Sequence, residues 1–178
     1  MARRYDPDRR LRIIDAAIRV VGRDGIAGVS HRSVAAEADV PLGSTTYHFA
    51  SLDELLIAAL RRSNEGFAAA VRNSPAVTDP GSDLPAGLAR VLGRWFAGER
   101  ADAELCYELY LAALRRPALR PVAGEWVEEV VTTLAHRVDR DTARAIAALV
   151  DGVSVQVLST GRAYDESYVR EMLRRVIG

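Results

Sequence analysis

Apolar residues recur along this chain at helical spacing almost from end to end. Between residues 7 and 23, Leu11, Ile14, Ala17, Ile18 and Val21 fall on one face of a 3.6-residue repeat and predict an amphipathic helix. Asp6 before Pro7 reads as its cap and first helical residue, and Gly22 and Gly25 as its stop. Ser30 can cap a short helix over 31–38 with Val34, Ala35 and Ala38 inward. Asp39-Val40-Pro41 is a tight turn, and 42–48 a second short helix. Ser51-Leu52-Asp53-Glu54 has the form of a capping box opening a longer helix over 52–72, with Leu55, Leu56, Ala59, Leu60 and Phe67 on its apolar face.

A loop is expected at 73–83, where Pro75, Pro80 and Gly81 interrupt the pattern. Beyond it the spacing predicts helices near 84–98, 102–115, 118–138, 142–161 and 165–177, punctuated by Gly98, Arg116-Pro117 and Gly161. Val153 and Val155 alternate with polar neighbours as a strand would, but Ala143 to Val150 leads into them with helical spacing. The fold class is therefore all-α.

Composition narrows the class. With 178 residues, 49% of them hydrophobic and 27% charged, the chain can bury a core without staples. Its single cysteine, Cys106, excludes an internal disulfide and a multi-cysteine metal site, and points to a reduced, cytoplasmic setting. No unbroken uncharged stretch approaches the roughly 20 residues that span a bilayer, and Met1 to Pro7 lacks a secretory apolar core, so neither a membrane partner nor export is expected. Twenty-four basic residues balance 24 acidic ones, so net charge does not favour nucleic acid. Every basic residue is arginine, which makes each cationic contact a guanidinium fork suited to phosphate or carboxylate.

The chemistry concentrates in residues 30–48. A short helix, a tight turn and a second short helix, supported by the first, make a helix-turn-helix, whose second helix can enter the major groove. That helix reads Leu42-Gly43-Ser44-Thr45-Thr46-Tyr47-His48-Phe49. Close approach of a backbone would account for Gly43. The hydroxyls of Ser44, Thr45 and Thr46 suit base edges or phosphates, and Tyr47 and His48 suit phosphate oxygens. Arg32 and Ser51 are further candidate DNA contacts, while Phe49 is expected in the core, pinning this helix to the first. Arg3 and Arg4 can serve as a groove-reaching arm or a solvated tail.

Residues 7–60 resemble the DNA-binding domain of TetR-family transcriptional regulators. The resemblance rests on the apolar first helix ending near Gly25, on Val29-Ser30, Val34-Ala35 and Ala38-Asp39-Val40, on Gly43 to Phe49 with its Gly-x-x-x-Tyr-x-Phe spacing, and on Ser51 to Leu56. This chain has Asp39 at the turn where the family usually has Ala-Gly-Val, and Leu52 where it often has Lys. The resemblance implies a three-helix DNA-binding domain, residues 1–50, followed by a helical ligand-binding and dimerisation domain, residues 51–178. It implies a homodimer on a near-palindromic double-stranded operator, most often as a repressor released by a small-molecule effector.

The remaining helices carry two features relevant to such a protein. Ala143, Ile146, Ala147, Val150, Val153, Ser154, Val157 and Leu158 make a helix apolar over most of its circumference, a candidate dimer interface with residues 165–177. Phe67, Trp95, Phe96, Cys106, Tyr107, Tyr110 and Trp126 gather much of the aromatic content, either as ordinary core or as the wall of a cavity for a hydrophobic or aromatic ligand. The helix at 52–72 belongs to both parts and is the expected lever between them.

Two other classes compete. An enzyme would need a nucleophile beside a base, and only Cys106 with His136 offers a pair, without any local motif. No phosphate loop or metal-ligand pattern occurs, so no cofactor and no metal are expected. A helical dimeric binding protein that has lost DNA binding is the other alternative.

Overall fold

The computed structural model describes residues 7–98 and 100–178. Ten α-helices and no strand occur among them: α1 (Arg9–Asp24), α2 (His31–Glu37), α3 (Leu42–His48), α4 (Leu52–Arg72), α5 (Pro75–Thr78), α6 (Leu84–Ala97), α7 (Arg100–Leu111), α8 (Arg120–Leu134), α9 (Arg140–Thr160) and α10 (Glu166–Ile177). The all-α class is thus the observed one. Residues divide into two compact units, one made of 1–63 with 105–122, the other of 64–104 with 123–178.

In the first unit, α1 begins at Arg9 with Asp8 at its cap and no side-chain capping bond. Pro7 lies in a turn before it, not at the first helical position, and Asp6, Arg3 and Arg4 lie outside the described residues. The buried stripe is Ile13, Ile14, Ala16, Ala17, Val20 and Val21. Leu11, expected inward, is exposed, because the stripe is rotated toward positions 13 and 20. Gly25 ends α1 at φ 70°, and the next amide, of Ile26, donates to the Glu108 carboxylate at 2.9 Å. Ser30 caps α2, accepting from the Ser33 amide, and the Ser33 hydroxyl accepts from the Ser30 amide in return. Asp39 holds φ 52° in the turn, a left-handed conformation that Asp tolerates better than most residues.

In the second unit, α10 packs on α6 and α9. The 73–83 segment is not wholly loop: α5 forms there, capped by Ser74 and packed on α6 where Gly87 leaves no room for a Cβ beside Ala76. Helix α8 stops at Leu134 instead of running to 138. The turn after it serves Arg137, whose guanidinium donates to the carbonyls of Ala76, Asp79, Pro80 and Ser82, while Asp139 caps α9.

Three helices here start on an aspartate. Asp83 is held below its ordinary value by the Ala86 amide, Asp139 by the Thr142 hydroxyl and amide, and Asp165 by the Tyr168 amide and Ser167 hydroxyl. A carboxyl depressed in the folded state stabilises fully above its unfolded value, 3.8, and loses that contribution as pH falls through the folded one. The melting temperature is therefore expected to fall below about pH 4. Asp139→Asn, which keeps an acceptor at the cap, should show a shallower acid dependence in thermal melts.

Among the described residues α9 is the one helix long and apolar enough to cross a membrane by length and composition, a test that the core helix of a soluble protein also passes. Only 28% of its most apolar window is buried within the chain.

Candidate nucleic-acid interface and effector pocket

Helix α3 is too short to hold its orientation by itself. Phe49 provides the anchor: it is 0% exposed, and the Arg10 guanidinium of α1 lies 4.9 Å from its ring centroid. Thr45 is also 0% exposed, and its hydroxyl donates to the Leu42 carbonyl at 2.8 Å. Ser44 is buried beside it. The Thr45 hydroxyl is engaged inside its own chain, so Thr45 is corrected from a contact residue to one that seats the helix, while Ser44, 4% exposed and without such a bond among the described residues, remains a candidate contact. Three successive hydroxyls at about 100° per residue cannot share a face.

The outward face is Leu42, Gly43, Thr46 and Tyr47, with Tyr47 76% exposed. A Cβ on Gly43 would meet nothing within 4 Å, so the chain's own packing does not require glycine there. His48 is half-buried and stands edge-on to Tyr47 at 5.2 Å. Arg32 and Ser51 are exposed. Ser51 accepts from the Glu54 amide at 3.1 Å, and the Glu54 carboxylate accepts from Ala50, which fixes the start of α4. Leu42, 51% exposed, was not anticipated on this face. A lone leucine at the start of a short helix carries no sign of its direction.

The expected ligand residues fall into separate groups. In the second unit the rings of Phe67 and Trp95 lie 4.6 Å apart, Trp95 and Phe96 5.4 Å, and Phe96 and Tyr164 5.4 Å, each pair tilted by about 40°. A cavity of about 380 Å³ opens beside the first pair, with Ala70, Asn73, Pro75 and Val91 also in its wall. Trp126 is buried in the same unit. Tyr107 and Tyr110 form an edge-to-face pair in the first unit, where Tyr107 and Cys106 are buried. Tyr164, absent from the anticipated set, continues the ring series because its hydroxyl donates to the Ala89 carbonyl at 2.7 Å. Burial pushes that hydroxyl above its ordinary value.

Helix α9 has two opposed faces. Ala143, Ile146, Ala147 and Ser154, expected at a dimer interface, are buried in their own chain, with Val150 and Val157 half-buried on the same side. Val153 and Leu158 flank them, half-buried. The opposite face carries Ala145, Ala148, Leu149, Gly152, Val155 and Ser159, all exposed or half-exposed. A helix apolar all round gives no periodicity from which to choose between these faces.

No group of three or more potential metal ligands occurs among the described residues. The suggested Cys106 and His136 pair joins a buried thiol to an exposed imidazole.

Comparison with known proteins completes the picture. Residues 13–59 match the family model described as bacterial regulatory proteins, tetR family, and residues 79–178 the one described as tetracyclin repressor-like, C-terminal domain. The nicotine-responsive transcriptional repressor HdnoR of Paenarthrobacter nicotinovorans is 32% identical over 84% of this chain and 83% of its own. The multidrug binding protein EbrR is 66% identical. Its complex with imidazole has a TM-score of 0.92 over 97% of each chain. Its complex with ethidium has a TM-score of 0.90 over 96% of this chain and 99% of that one. SCO1917 of Streptomyces coelicolor A3 is also 66% identical, with a TM-score of 0.90 over 97% and 99%.

Proposed function

This chain belongs to the TetR family of transcriptional regulators, and from that premise we propose that it is a cytoplasmic, homodimeric repressor released from its operator by a planar aromatic effector. The observation that carries the DNA-reading part is the outward row on α3, held by buried Phe49 and Thr45. Thr46 reads base edges, and its methyl suits a thymine methyl. Gly43 lets a phosphate approach the helix backbone. Tyr47, His48, Arg32 and Ser51 position the helix by donating to phosphate oxygens. The DNA-reading function is assigned to residues 1–50, inside a compact unit that also takes in 51–63 and 105–122, and the effector and dimer functions to 51–178.

Dimerisation follows from α9. Its outward face leaves Leu149, Gly152 and Val155 without cover from their own chain, and a second copy covers them best through a two-fold, self-complementary contact. Tyr168 and Met172 on α10, exposed and half-exposed, are further candidates for that contact. Two recognition helices then stand about one helical turn of DNA apart, roughly 34–36 Å.

The effector reading rests on the paired rings of Phe67 and Trp95 beside their cavity and on the 66% identity to a protein that binds ethidium. Aromatic faces attract planar cations through their quadrupole. Phe96, 5.4 Å from Trp95, extends the aromatic series, whereas Trp126, Tyr107, Tyr110 and Cys106 are not in the wall of this cavity. The effector must favour the arrangement that cannot span both half-sites, since it can shift the equilibrium only by that difference in affinity. Helix α4 is the lever: residues 52–63 belong to the DNA-reading unit and 64–72 to the other.

Selection from random duplex DNA at near-physiological salt tests this first. An enriched near-palindrome, from which ethidium then releases the protein, is the expected result. Failure to enrich any sequence, with the dimer confirmed, would sink the DNA reading. Enrichment without ethidium release would sink the effector reading alone. On the selected site, Tyr47→Ala is expected to weaken binding about five- to tenfold for all sequences alike. Its salt slope should stay unchanged, because a neutral phenol releases no counterion.

A further inference from the structure

A second cavity of about 740 Å³ lies in the same unit, beside the Phe96 and Tyr164 end of the aromatic series. Its wall brings together Arg90, Arg94 and Phe96 of α6, Arg100 at the start of α7, and Arg162 and Tyr164 between α9 and α10. Among the described residues of its wall, four arginines stand with one carboxylate residue, Glu166.

Elsewhere in the unit several arginines find acids: Arg72 pairs with Glu65 and Glu129, Arg140 with Glu128, and Arg174 with Asp83. Arg100 is engaged too, with Glu104 at 2.7 Å and with the carbonyls of Val157 and Leu158 at the end of α9. Arg90, Arg94 and Arg162 have no ion pair among the described residues. The cavity is nonetheless built. Tyr164 is tied to the Ala89 carbonyl, and a Cβ on Gly93 would come within 3.0 Å of its ring, so a larger residue there would push the ring by a few tenths of an ångström. Phe96, tilted 41° to that ring, provides an aromatic wall, and Ala97, Val157 and Ala163 add apolar surface.

We propose that this cavity is a second ligand site, selective for a planar aromatic carboxylate. The carboxylate accepts from the guanidinium forks of Arg90 and Arg162, a charge-assisted geometry that a neutral group does not match. The ring lies against Phe96 and Tyr164. A small inorganic anion would leave the apolar wall uncovered, and a cation would be repelled by the arginines. The volume is in the range of small-molecule pockets, roughly 300–1,000 Å³. The site has the opposite charge preference to the one proposed beside Phe67, and Arg90 and Arg162 line it and not that one, whereas Arg94 lines both.

The test is calorimetric titration of the full-length protein with 1-naphthoate, its neutral isostere 1-naphthamide, inorganic phosphate and ethidium. One naphthoate per chain is expected, with naphthamide and phosphate each bound about tenfold more weakly or worse. Arg90→Gln with Arg162→Gln should weaken naphthoate about tenfold or more and leave ethidium within about twofold. Both residues are exposed, so the double variant should keep the parent's melting temperature. Equal binding of naphthoate and naphthamide, equal binding of phosphate, or an unchanged double variant would each overturn the proposal. Absence of naphthoate binding would overturn it as well. If the double variant then also dimerised more weakly, the arginines would be assigned to carboxylates of a second copy.

Discussion

Leu149→Arg is expected to turn the dimer into a folded monomer. Leu149 is half-exposed on the outward face of α9, so an arginine there can extend into solvent without disturbing its own chain. In a two-fold interface each copy brings the same residue, and one substitution places two like charges in the contact. Like-charge juxtaposition at an interface costs several kcal/mol. A monomer engages one half-site and forgoes the effective concentration that linkage provides, about 10²–10⁴ in affinity. Sedimentation should show half the parent mass, and fluorescence anisotropy on the selected operator should show that loss. An intact dimer would move the interface off this face of α9.

Phe49→Ala should be the most damaging change in the DNA-reading unit. Phe49 is fully buried and is the residue on which α3 is seated, with Arg10 stacked over its ring. Truncating a buried phenylalanine costs about 3–5 kcal/mol, a large part of the roughly 5–15 kcal/mol that holds a domain folded. Operator binding should disappear at growth temperature, and the urea midpoint should fall. Phe49→Leu, which keeps most of the volume, should retain binding with a smaller loss of stability. Equal operator affinity for the parent and Phe49→Ala would show that α3 does not depend on this anchor.

Much of the architecture is legible without coordinates because it is local. The caps at Ser30 and Ser51, the left-handed Asp39 and the stop at Gly25 are decided within a few residues by hydrogen bonding and sterics. The ends of α5 and α8 were less legible. Ser74 could be recognised as a cap only against the proline-rich signal around it. Whether the pattern past Leu134 stays helical depended on Arg137, whose guanidinium holds carbonyls some 55 to 61 residues away.

The sequence by itself determined the helical class, the helix-turn-helix and the family, because periodicity, caps and the Gly43 to Phe49 motif are properties of neighbouring residues. It also marked the buried role of Phe49. Tertiary structure alone decided which way each side chain points. It turned Ser44 and Thr45 inward and left Thr46 and Tyr47 facing out. It committed Ala143, Ile146, Ala147 and Ser154 to their own chain and left Leu149, Gly152 and Val155 exposed or half-exposed. It gathered Arg90, Arg94, Arg100 and Arg162 around one cavity. The physical reason is the same in each case. A run of similar residues gives the helix but not its rotation, and rotation is set by packing against residues distant in the chain.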